Sequence, residues 1–132
     1  MRKNKFRVWN LEKEKMYRVI KLSDSFYGDC EESYCHYENE EGKAEFLPLS
    51  YGIIMQYTGQ KDREGTEIYE GDIIRENDGD GGYIYAEVVY HNCGFMGKEQ
   101  GFEPEYPISE FRNEAEVIGN IYENPELLEE VQ

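Results

Sequence analysis

Cysteine and long apolar runs are both scarce in this chain of 132 residues. Its three cysteines, an odd number, do not suggest the disulfide framework of a small secreted domain. No stretch approaches the roughly 20 apolar residues that a membrane-spanning helix needs. The basic residues at the start are not followed by the apolar run of a signal peptide, because Arg7, Asn10 and Glu12 interrupt it. We therefore expect a soluble protein of the cytoplasm that does not associate with membranes.

Positive charge is also scarce, and it is unevenly placed. The chain has 14 Lys and Arg residues against 29 Asp and Glu residues, which gives a net charge of −15. Residues 1–22 contain eight basic and two acidic residues, a net charge of +6, so the remainder carries −21. A surface this negative repels phosphate backbones, which bind mainly to Lys and Arg. Nucleic acid is therefore not the expected partner of this protein.

The motifs that mark common active sites are absent from the sequence as well. No glycine-rich loop is followed by Gly-Lys-Ser or Gly-Lys-Thr, and no serine nucleophile motif occurs. Pairs of carboxylates are easy to find among 29 acids, but without a cleft to place them any chosen pair is arbitrary. The sequence therefore predicts a protein that is not an enzyme and that uses no cofactor.

Two groups of residues have side chains that suit a metal ion. The first group suits zinc, although its spacing is not that of a zinc finger or knuckle; it consists of Cys30, Cys35, His36, His91 and Cys93. The second has the spacing of a calcium loop, although its flanks predict strands where an EF-hand has helices; it consists of Glu76, Asp78, Asp80 and Glu87. The competing interpretations are ordinary thiols and histidines in the first case and a solvated acidic turn in the second, so no metal is expected.

The residues that are abundant favour β-structure. The chain has twelve Tyr and six Phe residues, and aromatic side chains suit the half-buried surface of a sheet. Apolar segments separated by turn residues predict two hairpins, Lys5–Trp9 with Lys15–Leu22 and Asp72–Glu76 with Tyr83–Tyr90. Further segments are predicted as strands at 34–37, 43–47 and 115–122, as a strand or short helix at 51–57, and as an irregular excursion at 92–107.

The predicted architecture is mainly β, with compact bent sheets. A Gly-Asp corner before two β-branched strands is typical of an SH3-like barrel-type subdomain, here over about residues 57–122. Asn124 before Pro125 predicts a short helical turn near the C-terminus. The length suits a single domain over residues 1–132, with 1–56 and 57–132 as candidate subdomains.

The basic N-terminal arm indicates an alternative partner. Its cations are interleaved with aromatic residues, as in proteins that hold single-stranded nucleic acid; they are Arg2, Lys3, Lys5 and Arg7. In the competing interpretation the arm lies against the acidic body of its own chain or of a neighbouring subunit, and Trp9 belongs to the core.

Three segments of the chain carry a resemblance to a known family. Met55–Ile74 resembles the signature of the YopX family, and Phe6–Asn10 and Glu116–Leu128 agree with it in order along the chain. That family is found in phages and prophages, and the resemblance implies its fold and its phage context but no biochemical role. The residues that match its motif are Trp9, Tyr57, Thr58, Gly59, Asp62, Gly65, Tyr69, Gly71, Asp72, Gly119, Asn120 and Tyr122.

The function that fits these observations is a non-catalytic, protein-binding accessory protein of a phage or prophage. The expected partner is a host or phage protein, and a homo-oligomer stays open. An acidic body can also compete for a DNA-binding surface by presenting carboxylates where phosphates would lie, and this sub-hypothesis stays open too. The alternatives are a nucleic-acid-binding module that uses the basic arm and a metal-dependent protein.

Overall fold

The computed structural model describes residues 5–24, 33–77, 79–91, 94–99, 106–107 and 115–129. Within them the chain is mainly β, which confirms the predicted class, with one short α-helix, α1, at Glu126–Glu129 and a 3-10 turn at Leu49–Tyr51. None of the described helices is long and apolar enough to cross a membrane. The strands are β1 Phe6–Asn10, β2 Lys15–Asp24, β3 Ser33–Glu38, β4 Ala44–Pro48, β5 Gly52–Lys61, β6 Glu67–Tyr69, β7 Asp72–Asn77, β8 Tyr83–His91, β9 Gly94–Glu99, β10 Tyr106–Pro107 and β11 Glu116–Asn120.

Backbone proximity divides the chain into two compact units. The N-terminal unit is Lys3–Gln56, and the C-terminal unit is Tyr57–Gln132 together with Met1–Arg2. Strand β5 begins in the N-terminal unit, where Gly52 to Gln56 pair with β1, and it ends in the C-terminal unit, where it pairs with β6.

The N-terminal unit is an antiparallel sheet in the order β4-β3-β2-β1-β5. Alternate residues of its strands face one core, since successive side chains of a strand point to opposite faces. That core contains Val8, Tyr17, Cys35, Tyr37 and Leu47. Trp9, which follows Val8 and therefore points to the opposite face of β1, is buried as well, and its predicted burial is confirmed. The predicted hairpin of β1 and β2 is confirmed, with Arg7 opposite Arg18 and Asn10 opposite Lys15.

The C-terminal unit contains the antiparallel sheet β10-β9-β8-β7-β11. The hairpin of β7 and β8 is paired from Ile73↔Glu87 to Asn77↔Tyr83, so this predicted hairpin is confirmed. The core of this unit is a cluster of small and β-branched residues: Ile68, Ile74, Ala86, Val88 and Ala115. The helical turn predicted after Asn124 is confirmed as α1.

Two expectations need correction. The strands of the described residues form open sheets and not a closed SH3-like barrel. The segment predicted as an irregular excursion contains β9, which pairs along β8 from Ala86↔Glu99 to His91↔Gly94. Its glycines suggested a loop, yet the Phe95 ring packs against the Tyr90 ring at 5.1 Å between centroids and continues the sheet. Residues 92–93 and 100–105 of that segment lie outside the described residues.

Candidate functional site

The signature segment begins with a local distortion of β5. Between the pairs Tyr57↔Tyr69 and Lys61↔Glu67 the register shifts, and Gly59 has a φ of 89°, which an L side chain rarely adopts. The hydroxyl of Thr58, a buried residue, donates to the carbonyl of Ile68 at 2.7 Å and accepts a hydrogen bond from the Gln60 N–H at 3.2 Å. The Thr58 side chain thus takes the place of ladder hydrogen bonds that the distortion removes.

Asp62 organises the loop that follows. One carboxylate oxygen accepts hydrogen bonds from the N–H groups of Glu64 and Thr66, both at 2.8 Å, and the other accepts from the Val117 N–H at 2.9 Å. Gly65, with a φ of 85°, closes the turn by donating to the Asp62 carbonyl. Asp62 is buried, and its carboxylate accepts hydrogen bonds from three backbone N–H groups.

Asp72 and Gly71 form the second corner of the signature. The Asp72 carboxylate accepts a hydrogen bond from the Tyr69 N–H at 2.7 Å, and the residue is only 2% exposed. Gly71 has a φ of 84°, and its N–H donates to the carbonyl of Val88 at 2.8 Å. Gly71 therefore has a backbone conformation that residues with a side chain rarely adopt.

The C-terminal part of the motif is a pair of asparagine-centred turns. The Asn120 side-chain oxygen accepts from the N–H groups of Tyr122 and Glu123, at 3.0 and 2.9 Å, and the Asn124 oxygen accepts from the Asn120 N–H at 3.3 Å. Gly119 makes room for this arrangement, because a Cβ built there would lie 2.5 Å from the Asn124 Oδ1. The side-chain oxygens of both asparagines therefore accept hydrogen bonds from backbone N–H groups.

Tyr57 and Tyr69 face each other across β5 and β6, with ring centroids 5.5 Å apart and both side chains half-buried. Tyr57 also lines an open groove of about 720 Å³, together with Gly59, Gln60, Lys61, Asp62, Arg63 and Gly65. The charged residues of the groove lining are Lys61, Arg63 and the buried Asp62, and the Nε of Arg63 lies 3.5 Å from the Glu64 carboxylate. Its polar, open lining suits a surface contact better than an enclosed small molecule.

The zinc candidates are not brought together where the structure describes them. Cys35 and His36 are neighbours on β3 and therefore point to opposite faces: Cys35 lies in the core, and the His36 ring contacts the Phe46 ring with centroids 4.3 Å apart. Burial raises the pKa of the Cys35 thiol to about 11, which disfavours the thiolate that a metal needs. His91 ends β8, and Cys30 and Cys93 lie outside the described residues.

The calcium candidates are separated as well. Glu87 pairs with Ile73, whereas Glu76 pairs with Ile84, so the alternation of the β7–β8 hairpin places the two carboxylates on opposite faces. Burial raises the pKa of Glu87, opposite Lys98 on β9. Asp80 lies at the exposed hairpin tip, and Asp78 lies outside the described residues. Among the described residues no group of three or more His, Cys, Asp or Glu side chains could hold a metal ion.

A polar cluster in the N-terminal unit escaped sequence analysis. The rings of Tyr17 and Tyr37 pack with centroids 4.5 Å apart. The Tyr17 hydroxyl donates to Glu40 and the Tyr37 hydroxyl donates to Glu45, both at 2.5 Å. Lys13 lies over both rings at 5.9 Å, and its Nζ is 3.2 Å from the Glu45 carboxylate.

These contacts shift the pKa values of the tyrosines and carboxylates in the cluster. Burial and then the hydrogen bond to Glu40 raise the pKa of Tyr17 to about 12, and burial and then the bond to Glu45 raise the pKa of Tyr37. The tyrosine hydroxyls lower the pKa of Glu40 and Glu45, with smaller effects from the lysines. Near neutral pH each carboxylate is therefore ionised and each tyrosine is protonated, as the hydrogen bonds from the two hydroxyls to the two carboxylates require.

The basic arm is only partly described. Arg2 and Lys3 lie outside the described residues, Lys5 is exposed, and Arg7 is half-buried in β1. The aromatic residues of the basic segment 2–21 are Phe6, Trp9 and Tyr17. Phe6 is half-buried, whereas Trp9 and Tyr17 are buried and therefore do not offer rings on which nucleic-acid bases could stack.

The other face of the N-terminal sheet carries exposed apolar residues, and we call Ile20, His36 and Phe46 the Phe46 patch. Phe46 is 70% exposed and is paired with His36. Ile20 is 54% exposed, and it lies at the bulge of β2 beside the pair Lys21↔His36. Sequence analysis missed the patch, although Phe46 directly precedes Leu47 in a strand, so one of the two must face away from the core.

Comparison with known proteins now places the chain in a family. The YopX family, described as YopX protein, matches residues 5–129. The chain belongs to the YopX family. This confirms the resemblance seen in the sequence. No curated protein matches the chain.

Two solved structures show the same fold as this YopX family member. A protein called EF1440 from Enterococcus faecalis has 26% sequence identity and a TM-score of 0.61. YopX from Bacillus subtilis has 22% identity and a TM-score of 0.64. In each comparison 97% of this chain and 99% of the other chain are covered. The two likenesses extend over nearly the whole length of each protein, and neither name states an activity.

Most residues of the YopX motif have a structural role in this chain. Thr58, Asp62, Asp72 and Asn120 each use a buried polar side chain to hold backbone groups. Gly59, Gly65 and Gly71 provide positive φ angles. The motif residues that retain accessible side-chain surface are Tyr57, Tyr69 and Tyr122, which are half-buried.

Proposed function

We propose that this chain is a non-catalytic protein-binding module, an accessory protein of a phage or prophage that acts in the cytoplasm of the bacterial host. It binds a host or phage protein through the Phe46 patch. The observation that carries the proposal is the position of the Phe46 ring, which is 70% exposed on the face of the sheet that points away from the core. An aromatic anchor of this kind is typical of the residues that dominate protein interfaces.

The magnitude of the apolar contribution supports this assignment. Burying a Phe side chain fully is worth about 1.5–3 kcal/mol, and Ile20 on β2, two strands away across His36, adds a second exposed apolar side chain. The His36 ring supports the Phe46 ring from the neighbouring strand. A preorganised aromatic side chain loses little conformational entropy when a partner covers it.

Charge indicates the class of the partner. The chain has a net charge of −15, and long-range attraction accelerates association with a protein of opposite charge. We therefore expect a basic partner. The use of the buried motif carboxylates by backbone N–H groups supports a binding role over a catalytic one.

The test is a pull-down with the tagged full chain from nuclease-treated host lysate, in three versions. Tyr90→Ser is the matched control for Phe46→Ser, because Tyr90 is also a mostly exposed aromatic residue whose ring contacts that of one cross-strand neighbour. We expect one stoichiometric protein with the unmodified chain and with Tyr90→Ser, and about tenfold less with Phe46→Ser. Equal recovery with Phe46→Ser would contradict the proposal, and recovery that disappears after nuclease would favour nucleic-acid binding by the basic arm.

A further inference from the structure

Strand β4 lies at the edge of the N-terminal sheet. It pairs with β3 on one side, from Tyr34↔Pro48 to Glu38↔Ala44, and no other described strand pairs with its second side. An edge of this kind presents a row of backbone donors and acceptors that another chain can use. Phe46 is the middle residue of β4, so the edge and the Phe46 patch adjoin.

The hairpin turn shows which backbone groups point to the free side. At the turn, the Asn39 N–H donates to the Lys43 carbonyl at 2.8 Å, so the backbone of Lys43 faces β3. Antiparallel pairs alternate between bonded and non-bonded positions. Counting from Lys43, the N–H and C=O groups of Ala44 and Phe46, and the C=O of Pro48, therefore point away from β3.

The position of Pro48 is consistent with these directions of the backbone groups. A proline within a sheet is confined to positions where its nitrogen faces away from the ladder, since it has no N–H to donate. The close approach of the His36 and Phe46 rings, 4.3 Å between centroids, also agrees, because side chains are nearest at the non-bonded pairs.

We propose that an extended segment of a basic protein adds to β4 as a further antiparallel strand. It accepts hydrogen bonds from the N–H groups of Ala44 and Phe46 and donates to the carbonyls of Ala44, Phe46 and Pro48. An apolar side chain opposite Phe46 covers the exposed ring. This inference rests on the proposed function, since it specifies how the partner occupies the same site.

A second copy of this chain fits the edge less well. In a symmetric antiparallel pairing centred on Phe46, the carbonyl of Ala44 in each copy would face Pro48 of the other copy, which has no N–H to donate. Two chains of net charge −15 would also repel each other at long range, although residues 3–56, which contain this edge, have eight basic and ten acidic residues and a net charge of only −2. A basic segment with ordinary residues at these positions satisfies both the hydrogen bonds and the charge.

The first test uses a short, capped peptide of alternating valine and lysine as the probe. In an amide NMR titration of the isotope-labelled full chain, we expect the signals of Ala44 and Phe46 to shift most. The same peptide with N-methyl groups on the amides of one edge should bind about tenfold more weakly, because it cannot donate to β4. Equal binding of the two peptides, or shifts confined to other strands, would overturn the proposal.

The second test repeats the pull-down with Ala44→Pro and, as its matched control, Ala44→Ser. Ala44→Pro removes one outward N–H and leaves the ladder to β3 intact, so far-UV circular dichroism should match that of the unmodified chain. We expect the protein captured by the unmodified chain to be retained by Ala44→Ser and reduced about tenfold by Ala44→Pro.

The outcomes separate the two proposals. If Phe46→Ser loses the captured protein and a folded Ala44→Pro retains it, strand addition is wrong while binding through the patch stands. If Phe46→Ser retains it, the proposed function fails, and the peptide titration still tests the edge independently. Sedimentation that shows a dimer abolished by Ala44→Pro would assign the edge to a second copy and overturn the choice of partner. If Ala44→Pro does not fold, the comparison of the two peptides decides.

Discussion

The Asp62 carboxylate accepts a hydrogen bond from the backbone N–H of Val117 at 2.9 Å, across 55 residues of sequence. The same side chain also accepts from Glu64 and Thr66 within its own loop. One buried residue thus joins the signature loop to β11 and defines the shape of both.

Replacement of Asp62 by Ala should destabilise the protein. The change leaves three backbone N–H groups without their acceptor, and we expect the free energy of unfolding to fall by about 2–4 kcal/mol. Urea denaturation followed by far-UV circular dichroism measures this. Glu64→Ala is the matched control, because it removes an equal charge from an exposed position of the same loop and should change stability by less than about 1 kcal/mol. Similar effects of the two variants would contradict this account of Asp62.

Gly119 should not accept a side chain. A Cβ there would lie 2.5 Å from the Asn124 Oδ1, so Gly119→Ala must displace the side chain that accepts from the Asn120 N–H. We expect a loss of about 1–3 kcal/mol in the free energy of unfolding. Gly94→Ala, which meets nothing within 4 Å, is the control and should have little effect. A stability of Gly119→Ala equal to that of Gly94→Ala would show that Asn124 moves away freely.

The buried Tyr17 should make stability fall at alkaline pH. Its pKa is raised to about 12 from an ordinary value of 10.0, mainly by burial and then by Glu40. The folded chain therefore prefers the protonated hydroxyl, so this contribution is complete below about pH 10 and is lost as the pH rises towards 12. Urea midpoints between pH 9 and pH 12, at about half-unit steps, should decline less steeply in Tyr17→Phe. Parallel declines in the two proteins would show that the Tyr17 hydroxyl does not contribute.

Cys35 should be chemically inert in the native protein. It lies in the core, and burial raises the pKa of its thiol to about 11. Since the thiolate is the reactive form, we expect a variant with Cys30→Ser and Cys93→Ser to react with a disulfide reagent at pH 8, roughly a typical assay pH, only after urea is added. The measurement is the rate of thiol modification with and without denaturant. Rapid reaction of the folded variant would mean that Cys35 opens to solvent.

Local patterns were enough to predict several elements of this fold. Alternation and turn residues predicted the β1–β2 and β7–β8 hairpins, and both are confirmed. Asn124 before Pro125 predicted the start of α1. Strand β9 was missed because its glycines are typical of loops, whereas in the structure it pairs with β8 and the Phe95 ring contacts the Tyr90 ring.

The candidate site was less accessible to sequence analysis. The motif was found through its likeness to a family, but the role of Asp62 depends on Val117, and the Tyr17–Glu40 bond joins residues 23 positions apart. Phe46 and Leu47 are adjacent apolar residues, and only the packing of β3 against β4 decides that Leu47 enters the core while Phe46 stays exposed.

The sequence by itself determined the β class, the acidic character, the tight glycine corners and the family, because alternation, charge and backbone freedom are properties of short segments. Only the tertiary structure decided which carboxylates accept hydrogen bonds from backbone N–H groups, which aromatic rings are buried, and which edge of the N-terminal sheet lacks a strand among the described residues. These depend on the register between distant strands, where a shift of one residue would exchange the core face for the solvent face.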